Sequence, residues 1–386
     1  MVSKELMSEP SSEGAATAGR FSAKRTVFYV QPLIARYRVE VVAALGRIFK
    51  VKVFASSHGV ESRGFSREQP VCEEFVETGI THLLSRRIKI QSKVLGRIVR
   101  ERPAAVLIFA DVTYLSLWLA LASGRALRVP VVIHGQGLYR YAKPGLARVL
   151  CYRAAVALST QYVCYSEASK RSLERIGCPS SKLVVASNSL TVTQTVDPSE
   201  KTGAEQGVLF LGRLRDGSNV EYLIEAVEQM RNAGHAIVLH VVGDGELRDR
   251  LKNTYSHCNY LFWHGAVFDD KEIAVISRAC RIGCYPGAAG LSVVHMFGLS
   301  LPPLVHDQLS LHMGPEPEYV EDGRTGFLYS REGGANSLAA SLCNIWTRPP
   351  EAIQAIATCA FSKYRQLNSP TLGRRLADIV DRAVEL

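Results

Sequence analysis

The sequence predicts an α/β protein built from two doubly wound halves, each around a parallel sheet. Three observations predict it. Short apolar runs alternate with helical segments along the chain, which gives parallel strands joined by right-handed crossovers. A polar, irregular stretch over residues 188–205 interrupts that alternation and reads as a linker. The alternation then restarts at residue 208, and 386 residues suffice for two or three domains.

Composition narrows the class. Hydrophobic residues make up 47% and charged residues 21%, the balance of a folded soluble protein. Nine cysteines, an odd number without a repeated short spacing, exclude a zinc ribbon and a disulfide framework. Their apolar neighbours, as at Cys164 and Cys280, predict buried free thiols in a reducing cytosol. Residues 1–23 are rich in Ser, Ala, Gly and Glu, lack the apolar segment of a secretory signal, and read as a flexible tail.

In the first half, residues 25–30 and 51–55 read as strands flanking a helix over 39–49. Arg36 and Arg38 follow the first strand, where open α/β sheets bind ligands. They either face a phosphate or acceptor there or are solvated loop arginines. Residues 104–123 are apolar except for Asp111 and nearly long enough to cross a bilayer. They divide at Asp111 into a strand and a helix, so a buried strand beside a core helix is preferred. Residues 129–134 form a strand ending in His134, followed by Gly135 and Gly137. A histidine at that edge meets a polar ligand or serves the core. Helices over 144–158 and from Ser166 to Gly177, with strands at 162–165 and 183–186, complete this half.

Charge divides unevenly. Residues 1–200 hold 28 Lys+Arg against 15 Asp+Glu, and residues 201–386 hold 18 against 21, so balances of +13 and −3 give the net +10. The first half is therefore expected to meet an acidic surface or ligand. No nucleic-acid-binding motif is present. Arg86, Lys89, Lys93, Arg97 and Arg100 fall within about 80° of arc at helical spacing. Residues 86–100 thus predict a basic amphipathic helix that either lies on anionic lipid or packs with a solvated basic side. Tyr139, Arg140, Tyr141, Lys143, Arg148 and Arg153 add aromatic and basic character nearby and favour the membrane surface.

In the second half, strands are expected at 208–211, 236–242, 260–263, 282–285 and 302–306. Helices are expected at 220–232, 247–255, 272–278, 335–346, 350–366 and 372–386, with residues 312–329 a loop. Pro286, Gly287 and Gly290 turn the chain from a strand into a helix for which Ser292 is placed as N-cap. Free amides at such a start suit a phosphate, although many α/β turns share this punctuation for purely structural reasons.

GRL at 212–214, GDGEL at 243–247, HGAV at 264–267, PGAAGLS at 286–292 and EYVEDGRTGFLY at 318–329 together resemble the C-terminal domain of family 4 GT-B glycosyltransferases. The first half is similar to that family in its 31–38 turn, HGQG, 165–179 segment and SNS. The resemblance implies two Rossmann-like domains facing across a cleft. It implies a tail at 1–23, an acceptor domain at 24–190, a linker at 191–206, a donor domain at 207–366 and a terminal helix at 367–386. It further implies sugar transfer, with retention, from a nucleotide-diphosphate donor to an acceptor hydroxyl. By this resemblance Arg213 neutralises the departing diphosphate as the second catalytic group beside His134. Gly212, Ser218, Ala266, Val267, Gly290, Leu291, Ser292 and His295 join Arg213 at the donor, and Arg36 and Arg38 are assigned to the acceptor.

The chain departs from the family pattern. Ser218 stands where a lysine usually follows GRL, Ala289 and His295 where paired glutamates usually flank the turn, and Ser300 replaces a later glycine. These losses leave the donor sugar open and motivate an alternative, a catalytically silent subunit that binds a glycan or a partner transferase. The absence of Asp-x-Asp predicts a donor held without a metal. The expected protein needs no cofactor and uses a nucleotide sugar as co-substrate. It acts on a glycan or lipid-linked acceptor in polysaccharide synthesis, in the cytoplasm at the inner membrane face, and binds no nucleic acid.

Overall fold

A computed structural model describes residues 24–57, 70–83 and 87–385. The first half contains β1 (Thr26–Val30), α1 (Val39–Ile48), β2 (Lys50–Ala55), β3 (Glu74–Glu77), β4 (Ile80–Leu83), β5 (Ile88–Gln91) and α2 (Val94–Glu101). It continues with β6 (Ala105–Phe109), α3 (Leu115–Leu127), β7 (Val131–Gly135), α4 (Leu146–Leu158), β8 (Gln161–Cys164), α5 (Glu167–Glu174) and β9 (Leu183–Val185). Seven of these strands form a parallel sheet in the order β3-β2-β1-β6-β7-β8-β9, and β4 and β5 pair as a separate antiparallel ribbon.

The second half runs β10 (Gly207–Leu211), α6 (Val220–Asn232), β11 (Val238–Val242), α7 (Arg248–Thr254), β12 (Leu261–Gly265) and α8 (Asp270–Arg278). Then come β13 (Cys280–Cys284), α9 (Ser292–Gly298), β14 (Pro303–His306), β15 (Phe327–Tyr329), α10 (Gly334–Trp346), α11 (Pro350–Asn368) and α12 (Leu372–Glu385). Its six strands lie parallel in the order β12-β11-β10-β13-β14-β15. In both sheets the strand order reverses beside the first strand, at β1/β6 and β10/β13. Such a switch point leaves a crevice at the carboxyl ends of the strands.

The central strands β1, β6, β7, β10 and β13 are buried along almost their whole length because helices cover both faces. In β1, Phe28 and Val30 pack towards α2 and α3, while Val27 and Tyr29 pack towards α1 and α12. Adjacent side chains thus serve opposite faces, as strand geometry requires. The second half has one core centred on Phe210, Ile224, Val241 and Phe297. The apolar run at 104–123 is β6 plus α3, and among the described residues no helix is long and apolar enough to cross a membrane.

The basic helix expected at 86–100 is corrected. Residues 88–91 are the strand β5, and the helix begins only at Val94, after Lys93 adopts a left-handed φ of 67°. Ile88 and Ile90 flank Lys89 with period-two as well as helical spacing, and pairing with β4 decides between them. The basic side chains find separate partners instead of presenting one charged face. Arg97 pairs with Glu74 and Glu101, and Lys52 meets the same two carboxylates at 2.8 and 2.9 Å. Lys93 Nζ donates to Glu77 O at 2.8 Å, and Lys89 Nζ sits 4.9 Å from the Tyr114 ring centre. Arg86, and the tail at 1–23, lie outside the described residues.

The last helix leaves the second half. Leu372, Leu376, Ile379 and Val380 of α12 are buried with Val41, Val42 and Leu45 of α1 in the core of the first half. Thr371 Oγ1 donates to Glu40 Oε1 at 2.5 Å at the start of that contact.

Candidate functional site

A cleft of about 1130 Å³ lies between the halves, at the carboxyl ends of β10, β11 and β12. Three strand exits form its floor, stitched by backbone hydrogen bonds. Gly212 N donates to Val242 O at 3.0 Å, Leu214 N to Asp244 O at 3.0 Å, and Gly243 N to Gly265 O at 2.8 Å. Gly243 is required there. Its φ is 152°, and a side-chain carbon on it would lie 1.7 Å from Gly212 O.

Gly212, Arg213, Ala266, Val267, Leu291, Ser292 and His295, all expected at the donor, line this cleft together with Arg36 from the first half. The Arg213 guanidinium makes no hydrogen bond or ion pair to a described residue, and its buried Nε is unpartnered. Arg36 Nη1 reaches across and donates to Phe268 O at 2.5 Å.

Beside Arg213 the 286–291 turn is fixed from three sides. Ala288 N donates to Gly217 O at 2.9 Å, Met313 N to Ala289 O at 2.9 Å, and Ala289 N to His312 Nδ1 at 3.2 Å. Burial pushes His312 down to about 4, which keeps its Nδ1 an acceptor, while Nε2 meets His306 O at 2.9 Å. Ser292 is the first residue of α9 and not its cap; that position belongs to Leu291, which makes no side-chain cap.

The remaining expected residues lie elsewhere. Ser218 is buried beneath the turn, where a side-chain carbon on Gly287 would meet its carbonyl at 2.6 Å. Gly290 is buried next to the lining residue Leu291. Arg38 is 8% exposed and donates from Nη2 to Asn188 Oδ1 at 2.7 Å, so it is neither a solvated loop arginine nor part of the cleft lining. His134 ends β7 against the Tyr165 ring, 4.5 Å between centres. Its burial, with Arg38 and Arg375 nearby, holds it well below the usual histidine range, and Nε2 lacks a partner among the described residues.

Two cleft features escaped the sequence. Asp270 Oδ1 lies 3.3 Å from His295 Nε2, while Oδ2 accepts from Thr193 N and Oγ1 at 2.6 and 2.7 Å. Tyr37, Glu40, Thr191, Asp244 and Glu246 add further polar lining. An acidic pair after an apolar residue, as in Phe268-Asp-Asp-Lys, reads as an ordinary helix start, and only the fold brings it to His295.

With two six- or seven-stranded parallel sheets facing across a cleft, the comparisons fall into place. Residues 205–348 match the family model described as Glycosyl transferases group 1. No curated protein matches the chain. Among solved structures, Anabaena HepE in complex with UDP and glucose is 16% identical with a TM-score of 0.63, covering 93% of this chain and 99% of that one. A glycosyltransferase from Rickettsia africae is 13% identical with a TM-score of 0.65, covering 94% and 99%. TarM is 8% identical with a TM-score of 0.65, over the same shares. The fold is GT-B, and the matched region supplies Arg213, the 286–291 turn and most of the cleft lining.

Proposed function

We propose that the protein is a retaining glycosyltransferase that moves a sugar from a nucleotide-diphosphate donor to a glycan acceptor. The observation that carries this reading is the Arg213 guanidinium, unpaired in the cleft beside the turn into α9. A guanidinium there offers paired donors to phosphate oxygens as charge builds on a departing diphosphate. The amides at Gly290, Leu291 and Ser292 add donors on the same side. The base of the nucleotide lies against Ala266 and Val267, and the departing phosphate itself takes the acceptor proton. Neutral His134 orients the reacting sugar, Arg36 faces the acceptor, and the donor is held without a metal. Retention is read from the family resemblance and is checked by the anomeric configuration of the product.

Thermal-shift measurement with UDP, GDP, dTDP and CMP sugars tests the reading. Stabilisation by one nucleotide, lost in Arg213→Ala, is expected. Silence across the panel would instead support the catalytically silent subunit, a reading favoured by the burial of Ser218 in place of a cleft lysine. Sugar transfer undiminished by EDTA is expected of a metal-free donor site.

A lipid-linked acceptor and a peripheral place on the inner membrane face complete the proposal. With residues 88–91 in a strand, that part rests on α4 and the segment before it. Leu146 and Leu150 are 75% and 54% exposed there, and Arg140, Lys143, Arg148 and Arg153 surround them on the surface. Apolar side chains inside a basic surround suit the boundary of an anionic leaflet. Flotation with anionic vesicles should weaken in the double variant Leu146→Ser, Leu150→Ser and stay unchanged when Lys89, Lys93 and Arg97 are made Ser.

A further inference from the structure

Directly behind the cleft lining, where the halves meet, four polar side chains are buried together. Arg38 follows β1, His134 ends β7, Asn188 follows β9, and Glu316 opens a short 3-10 turn (Glu316–Tyr319) after β14. Their exposures are 8%, 2%, 3% and 2%. Arg38 donates to Asn188 Oδ1, and Asn188 Nδ2 donates in turn to Glu316 Oε1. Asn188 is itself fixed by its backbone N–H, which donates to Tyr165 O at 2.6 Å. The first half therefore reaches across the seam to hold one oxygen of a carboxylate from the second.

The other oxygen is left over. Glu316 Oε2 is buried with no hydrogen-bond partner among the described residues. An unmet carboxylate oxygen in a protein interior is costly, and a ligand that completes it would account for its persistence. Gly314 keeps one side of it clear, and Gly290 lies close by. A side-chain carbon at Gly314 would lie 1.9 Å from Oε2, and one at Gly290 would lie 3.7 Å from it. Gly290 immediately precedes Leu291 and Ser292, which line the cleft beside Arg213. Burial raises the Glu316 carboxyl, opposed by the hydrogen bond from Asn188, by Glu316's own backbone N–H and by the charge of Arg38, so the environment is dry but not without compensation.

We propose that Glu316 Oε2 accepts a hydroxyl of the transferred sugar, making Glu316 a donor-specificity residue, with Asn188 and Arg38 as the positioning residues that aim it. The ligand class follows from the charges. A buried carboxylate oxygen repels an anion and accepts from hydroxyl donors, which suits a neutral polyhydroxylated ring. The inference rests on the nucleotide-sugar reading of the cleft, which puts the sugar next to the turn that Gly290 belongs to.

The test compares two titrations of the full chain, followed by calorimetry. One uses UDP, GDP or dTDP, whichever stabilises the protein, and the other uses sugar conjugates of that nucleotide. In Glu316→Gln, affinity for the bare diphosphate should be unchanged, while affinity for the preferred nucleotide sugar should fall about tenfold or more. Glu316→Asp, which withdraws the oxygen by one methylene and keeps the charge, should show the same split. Asn188→Ala should reproduce it more weakly. Equal effects on both ligands, or no effect on either, would give Glu316 a structural role and overturn the inference while leaving the nucleotide site standing. Failure of the natural chain to bind any nucleotide would remove the nucleotide-sugar reading and this inference with it.

Discussion

Asp270 shows how a single side chain acquires its properties from neighbours distant in sequence. Burial alone would raise its carboxyl, but His295 beside it and the two hydrogen bonds from Thr193 outweigh that and hold it at about 2. A carboxyl depressed in the folded state stabilises the fold fully above its unfolded value, 3.8, and loses that contribution as pH falls towards 2. Acid unfolding followed by circular dichroism should therefore show Asp270→Asn less pH-dependent than the natural chain between about pH 4 and pH 2, with the two curves parallel above it. At this scale the sequence was partly legible. The 286–292 turn announces itself, because a turn between an apolar run and a helix needs particular residues in fixed order, and Arg213 follows only from the family resemblance of GRL. Glu316 and Asp270 do not announce themselves, since what makes them distinctive is burial and an unmet or shared oxygen, and neither leaves a spacing to read.

Among elements, the hairpin-like ribbon β4–β5 and its successor α2 show why helical periodicity alone misleads. Lys89, Lys93 and Arg97 fit one helical stripe, but each finds its own partner on the body of the first half. Removing Arg97 leaves Glu74 with Lys52 alone and Glu101 with Lys52 and Arg100. Both are partly solvated, so Arg97→Ala should cost about 1–2 kcal/mol in urea unfolding and should not change vesicle binding. The strand exits of the second half are less forgiving. Gly243→Ala must displace the Gly212 carbonyl, hence the segment carrying Arg213. A loss of about 3 kcal/mol or more, with nucleotide-induced stabilisation abolished, is expected from thermal unfolding with and without ligand. The repeated strand–turn–helix order was readable throughout because buried parallel strands are continuously apolar. The β3–β5 region was not, since its strands are four residues long and edge-placed, with mixed polarity.

For the whole molecule, α12 belongs to the core of the half that was laid down first. Leu376 is fully buried against α1, so Leu376→Ala should cost about 2–5 kcal/mol. Hydrogen exchange should locate that loss in β1, β2 and α1, with β10–β14 keeping their protection; equal loosening of both sheets would contradict it. The sequence located this helix but not its destination, because an amphipathic face specifies that something must cover it and not what.

The return of α12 means that the chain passes between the halves twice, once after β9 and once after α11. Two bodies joined by a pair of covalent straps have lost most of their freedom to twist or slide. What remains is rotation about the line through both straps, like a door on two pins. Opening of the crevice is therefore a swing of fixed direction. Spin labels at its mouth, on Tyr37 and Glu246, should separate on release of ligand, while a pair spanning Ser187 and Ser369 near the pins should hold their distance.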